Sequence, residues 1–244
     1  MKDSQKNERI DEIGFSGYKL VQRPEWFCYG IDAVLIADFA KLKNRSRVAD
    51  LGTGTGIIPL ILKHKYSPAV IYGVEVQTEV CELANKTVSI NALEDEIKII
   101  NSNVKAAPDI IGKYSLDAVI TNPPYVAEGG GIKGDNPAKA IARQEIEGTL
   151  EDFIACAFSL LKEGGDFYMI NRPSRLVDAI ELCRRYRLEP KHIQFIQPCE
   201  GKKANIFMLH CVKYGKPELK FMDPICVYDS EGKYTRKIME IYER

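Results

Sequence analysis

From Arg47 onward, short runs rich in β-branched and aromatic residues alternate with amphipathic segments of helical length. This alternation constrains the fold more than any other feature, because it is the pattern of βαβ units and so of a parallel sheet. Strands are expected at Arg47–Leu51, Val70–Val74, Ile97–Asn101, Leu116–Thr121, Asp166–Ile170, His192–Gln197 and Ile206–Val212. Helices are expected at Ile31–Ala40, Ile57–Lys65, Thr78–Asn91, Val104–Ile111, Leu150–Leu161 and Leu176–Tyr186. Five strands with crossover helices, then two strands close together, predict a doubly wound, seven-stranded, mostly parallel α/β sheet whose last strand is antiparallel. The 244 residues suit one such domain. It is assigned to 46–213, with an N-terminal extension (1–45) packing on the core and a C-terminal extension (214–244).

Smaller features refine this reading. The first dozen residues are charged and read as frayed, and Tyr18–Gln22 reads as extended. Leu161–Gly165 reads as a helix end with glycine in the C-cap region. The stretch from Val126 to about Thr149 is too long for an ordinary connection and belongs with loops that are functional or disordered.

Composition excludes several classes. Apolar residues make up 45%, enough for a core on both faces of a buried sheet, and Lys+Arg and Asp+Glu both number 34. Nucleic-acid binding would therefore depend on local patches rather than a global positive field. Seven scattered cysteines without a CxxC pair suggest neither a disulfide framework nor a zinc site, and no metal is expected. His64, His192 and His210 have no metal or triad spacing. No apolar run is long enough to span a membrane, and the polar N-terminus lacks a signal-peptide core, so a cytoplasmic location is expected.

Asp50-Leu-Gly-Thr-Gly-Thr-Gly56 follows a strand and opens a helix. Gly52, Gly54 and Gly56 let the backbone turn sharply and approach a ligand closely. Glu75 ends the next strand, where a carboxylate can accept from both hydroxyls of a ribose. Together with Asp50 these residues favour an adenosine-containing cofactor, without separating NAD from S-adenosylmethionine. Asn103 follows the third strand. Its amide oxygen can accept from an adenine amine or cap the following helix.

Asn122-Pro-Pro-Tyr125 follows the fourth strand, at the carboxyl edge where ligands bind in such sheets. The two prolines hold the backbone extended, so the Pro123 carbonyl and the Asn122 side-chain oxygen offer two acceptors to one spot. That pair matches an exocyclic –NH2 and helps localise its lone pair for in-line attack on a sulfonium methyl group. Orientation and electrostatic preorganisation then dominate the catalysis. Tyr125 can stack on the base. Asn122, Pro123 and Tyr125 are the expected catalytic residues.

Asp50–Gly56, Glu75 and Asn122–Tyr125 resemble the class I amino methyltransferases, which implies a Rossmann-like fold and S-adenosylmethionine as cofactor. Tyr29–Leu35, Ala140–Glu145, Asn171–Pro173 and Tyr228–Arg236 are further similar to the bacterial tRNA1(Val) adenine-37 N6-methyltransferase family, in its Gram-positive branch. The resemblance implies methylation of N6 of adenine in tRNA, next to the anticodon. It assigns Tyr29 and Gly30, beside Asp32, to the methionine end of the cofactor. Asn103 departs from the acidic residue usual at its position. Lys133 and Arg143 are expected to meet phosphates beside the target base. Further cations are Arg184, Arg185, Arg187, Lys191, Lys202 and Lys203, with Lys41, Lys43, Arg45 and Arg47 as a second cluster. A release-factor glutamine methyltransferase and an rRNA or DNA amino-methyltransferase are the alternatives. A non-enzymatic RNA-binding module is a third.

Overall fold

Val48, Ala49, Asp50 and Leu51 are buried on both sides, and this run lies at the centre of the sheet. The computed structural model describes residues 8–24, 29–124 and 148–243. In chain order the strands are β1 (Arg9–Glu12), β2 (Lys19–Gln22), β3 (Arg47–Leu51), β4 (Val70–Glu75), β5 (Ile97–Asn101), β6 (Leu116–Thr121), β7 (Leu161–Asn171), β8 (Leu188–Cys199), β9 (Ile206–Lys213), β10 (Lys220–Phe221) and β11 (Ile225–Tyr228). The helices are α1 (Ile31–Phe39), α2 (Ile57–Lys65), α3 (Thr78–Ile90), α4 (Ala107–Ile111), α5 (Leu150–Leu160), α6 (Leu176–Arg185) and α7 (Arg236–Glu243).

The main sheet has nine strands in the order β10-β8-β9-β7-β6-β3-β4-β5, with β11 also on β8. The strands from β3 to β7 pair in parallel. The seventh expected strand, β9, enters antiparallel between β7 and β8. β10 and β11 extend the sheet by following one another along the free side of β8. They cover backbone groups that would otherwise form an open edge.

Successive side chains along each strand enter two different cores. Val48, Ala118, Ile120, Tyr168 and Ile170 join α1, α2 and α7 on one face. Ala49, Leu51, Val119, Phe167 and Met169 join α5 and α6 on the other. Helix α1 is buried nearly all round, which explains its lack of a polar stripe: Ala33, Val34, Leu35, Ile36, Ala37 and Phe39 are all inside. Helix α5 starts at a capping box, with the Asp152 N–H donating to Thr149 Oγ1 (3.2 Å) and the Thr149 N–H to Asp152 Oδ2 (2.8 Å).

Three expectations need correction. Arg9–Glu12 is not frayed but pairs antiparallel with β2, and Ile13 and Phe15 enter the core. Glu8 anchors the hairpin through Lys86 (2.7 Å) and Arg23 (3.2 Å). Helix α4 begins at Ala107 rather than Val104, because Pro108 has no N–H to donate to the Val104 carbonyl. Helix α5 ends on an extended Leu161 instead of a glycine C-cap, and β7 begins at that same residue. Gly164 and Gly165 sit in an irregularity where the β6 partner jumps from Leu161 to Asp166. The expected loop from Val126 lies outside the described residues apart from its last two positions.

Candidate functional site

The carboxyl ends of β3, β4 and β6 bring the predicted residues to one edge. β3 lies between the other two, with Leu51 opposite both Val74 and Thr121. Gly52 and Asn122 therefore leave the sheet side by side, about one strand spacing (~4.8 Å) apart. The Thr121 hydroxyl donates to the Leu51 carbonyl at 2.8 Å and ties the two strand ends together.

Gly52, Gly54 and Gly56 all have positive φ (76°, 55° and 90°). A side chain there would be strained, and a Cβ on Gly54 would project into open space. The turn is held from below, where the N–H groups of Gly52 and Thr53 donate to the Val74 carbonyl at 2.9 and 3.0 Å. Glu75 holds it from the side. Its Oε2 accepts the Gly54 N–H (3.0 Å) and its Oε1 the Gln77 N–H (2.9 Å). Burial raises the Glu75 pKa, and these backbone donors counteract part of the rise. Each carboxylate oxygen keeps a lone pair for a ligand hydroxyl.

Asp50 is fully buried, and among the described residues neither carboxylate oxygen has a hydrogen-bond partner. Burial pushes its pKa from 3.8 up to about 7; the nearby Thr53 hydroxyl offsets this in part and the Glu75 charge adds to it. An orphaned buried carboxylate is costly unless a donor reaches it. With the open cradle above Gly54 and the acceptors of Glu75, it fits a cofactor that brings donors and positive charge.

Sequence reasoning missed two contributors, Thr53 and Gly73. Thr53 is 3% exposed inside the turn, and a Cβ on Gly73 would come within 3.0 Å of its side chain. A glycine inside the strand Tyr72-Gly73-Val74 was the available signal, since such a residue marks close backbone approach.

The other predicted residues divide. Pro123 is buried and Asn122 half-buried at the end of β6. Asn103 Oδ1 accepts the Lys105 N–H at 2.9 Å, so it caps the turn leading to α4. Gly30 is the N-cap of α1. The Tyr29 N–H donates to Gln22 Oε1 (3.0 Å), and Gln22 is held in turn by Asp11 (2.6 Å). Burial is the main cause of a raised Tyr29 pKa, with Asp11 and Tyr234 adding to it. Tyr125, Lys133 and Arg143 lie outside the described residues. Arg184, Arg185, Arg187 and Lys191 fall near the amino end of β8, at the opposite edge from Asn122. Arg184 and Arg185 are already ion-paired, with Glu189 and with Glu151 and Glu181. Among the described residues, no three His, Cys, Asp or Glu are grouped to hold a metal ion, and no helix is long and apolar enough to cross a membrane.

A doubly wound sheet with an antiparallel strand before its penultimate position, a glycine turn after its central strand and an acidic end on the next defines a class I S-adenosylmethionine-dependent methyltransferase. Residues 18–181 match the methyltransferase small domain family, and the chain belongs to that family. It is similar to the tRNA1(Val) (adenine(37)-N6)-methyltransferases of Pedobacter heparinus (24% identity, 84% of each chain covered) and Aeromonas hydrophila (26%, 87% of each). Among solved structures, a predicted O-methyltransferase from Agrobacterium tumefaciens shares the fold with a TM-score of 0.71. It is 23% identical, and the alignment covers 86% of this chain and 95% of that one.

Proposed function

We propose that this protein transfers the methyl group of S-adenosylmethionine to N6 of an adenine in tRNA, at position 37 beside the anticodon, as its relatives' names describe for them. The observation that carries the reading is the Asn122-Pro123-Pro124 turn leaving β6 directly beside the cofactor turn of β3. The Asn122 side-chain oxygen and the Pro123 carbonyl accept the two hydrogens of the target amine and turn its lone pair toward the methyl donor. The sulfonium of S-adenosylmethionine supplies an electrophilic methyl group, and the amine loses its proton after transfer, so no strong base is required. Glu75 receives the ribose hydroxyls. Asp50 takes a donor from the cofactor, and Tyr29 and Gly30 border its methionine end. Tyr125 stacks on the base, and Lys133 and Arg143 meet phosphates beside it. A cytoplasmic location, where tRNA is matured, fits this substrate.

The test is methyl transfer from labelled S-adenosylmethionine to bulk tRNA, rRNA fragments, DNA and a peptide-chain release factor, followed by nucleoside and amino-acid analysis. N6-methyladenosine in the tRNA fraction is the expected product. Label confined to rRNA, DNA or glutamine would contradict the proposed substrate.

A further inference from the structure

Tyr228, Tyr234, Tyr242 and Phe15 form a ladder of near-parallel rings. Successive centroids lie 5.4, 5.9 and 5.9 Å apart, at interplanar angles of 16°, 19° and 17°. The inner end is locked, because Phe15 is fully buried and packs against His64 at 5.5 Å. The outer end is open: Tyr228 and Tyr234 are each 41% exposed, and among the described residues no further ring packs on Tyr228. An exposed ring held parallel to a buried stack offers a preorganised π face. Planar nucleobases use such faces whatever their sequence.

The ladder stands at the edge used for catalysis. Tyr228 lies opposite Cys199, the last residue of β8, and bridges to Tyr234. β8 runs in the same sense as β7 and β6, since β7 and β8 are both antiparallel to β9 and β6 is parallel to β7. Tyr228 therefore shares the carboxyl edge with Asn122, four strand spacings (about 19 Å) across the sheet and, by the strand register, five residues (about 16 Å) further along it, or roughly 25 Å in all. That places it beyond the target base but within reach of neighbouring nucleotides. Tyr29 lies close enough to the ladder that Tyr234 adds to the rise in its pKa and Tyr29 in turn adds to that of Tyr242, which links the ladder to the entrance of α1.

The charges beside it suit a polyanion. Lys202 and Lys203 occupy the β8–β9 turn at the same edge, exposed and without an ion pair among the described residues. Of the acidic groups near Tyr228, Asp229 and Glu231 are engaged, whereas Glu200 in the β8–β9 turn is exposed. Asp229 Oδ1 accepts the N–H groups of Glu231 (2.9 Å) and Lys233 (3.0 Å), and Glu231 pairs with Lys233 at 2.8 Å.

We propose that Tyr228, backed by Tyr234, is a stacking platform for an unpaired base of the RNA substrate outside the catalytic pocket, with Lys202 and Lys203 on the adjoining phosphates. This rests on the RNA reading above. It is tested with the full chain and a fluorescently labelled anticodon stem-loop, measuring anisotropy and steady-state methyl transfer. Tyr228→Ala weakens RNA binding and raises the RNA KM by about five- to a hundredfold, the usual worth of one stacked base. Its kcat and its calorimetric affinity for S-adenosylmethionine stay unchanged. Tyr228→Phe binds RNA as the wild type does, because the ring face matters and not the hydroxyl, and this variant also controls for folding. The Lys202→Ala/Lys203→Ala variant flattens the slope of log affinity against log salt by about 1.4, at about 0.7 per lost phosphate contact. Wild-type RNA affinity in Tyr228→Ala, or equal weakening in Tyr228→Ala and Tyr228→Phe, overturns the platform even if the wild type methylates tRNA. Wild-type labelling of protein but not RNA overturns the substrate reading itself, and the platform with it.

Discussion

Asp50 is the residue whose chemistry is most exposed to test. Between pH 3.8 and about 7 the folded chain holds a proton on Asp50 that the unfolded chain has released. The folded state binds more protons in that window, so stability contributed by this group falls as pH rises through it and levels off above. Melting curves of the ligand-free protein should therefore show Asp50→Asn losing part of the decline between pH 5 and 7. S-adenosylmethionine, which brings a donor to the ionised carboxylate, should bind more tightly as pH rises toward 8. A pH-independent affinity in the wild type would remove Asp50 from the cofactor site. Asn122 and Glu75 separate differently. Asn122→Ala should lose about 10²–10³ in kcat, the usual scale for one preorganised polar partner of the reacting group, with cofactor affinity unchanged. Glu75→Ala should weaken cofactor binding first, because the Gly54 N–H loses its acceptor together with the ribose site. Equal cofactor weakening in both variants, measured calorimetrically, would contradict that division. Glu75 stood out in the sequence as the carboxylate at the end of the strand after the glycine turn. Its grip on the turn did not, because a backbone bond across 21 residues has no spacing rule.

Among the elements, the strands and helices of the parallel half were legible because each obeys a local period and is closed by a local signal. The boundaries that moved were set by single atoms or distant partners. Pro108 shortens α4 by a missing N–H, and β1 exists because β2 and Lys86 are there to hold it. The end of α5 is the clearest case of a distant partner. Lys213, 2% exposed on β9, donates to the carbonyls of Phe158 (2.6 Å) and Leu161 (2.8 Å) and sits 4.0 Å from the Phe158 ring centroid. This ammonium takes the place of a glycine C-cap. Lys213→Met keeps the apolar stem but orphans two buried carbonyls, so it should cost about 1–3 kcal/mol in denaturant unfolding while leaving kcat unchanged. An unchanged midpoint would show that the helix end is satisfied by other means.

Across the whole molecule, residues beyond Lys213 are part of the fold rather than a loose tail. Ile225, Val227, Ile238 and Ile241 are all buried in the same core as α1 and α2. At about 1.5–3 kcal/mol for each fully buried apolar side chain, their loss removes roughly 6–12 kcal/mol. That is comparable to the whole stability of a typical domain, about 5–15 kcal/mol. A chain ending at Lys213 should therefore lack a cooperative thermal transition; a sharp one near the wild-type temperature would contradict this. From sequence the segment Tyr228–Arg236 stood out only through family resemblance. Its pairing with β8 could not be seen, because β10 and β11 are two and four residues long and their partner lies more than twenty residues back. The meeting of the glycine turn, Glu75 and Asn122 at one edge was legible, since each lies at the carboxyl end of a predicted strand of a parallel sheet, and such a sheet brings those ends together. The central claim, that this edge methylates one adenine of tRNA, is tested most directly with two valine tRNA transcripts. One is native; in the other, guanine replaces the adenine next to the anticodon. The account predicts N6-methyladenosine after incubation of the native transcript with enzyme and S-adenosylmethionine, and none in the other. Equal labelling of the two, or none in either while protein or rRNA is labelled, would contradict it.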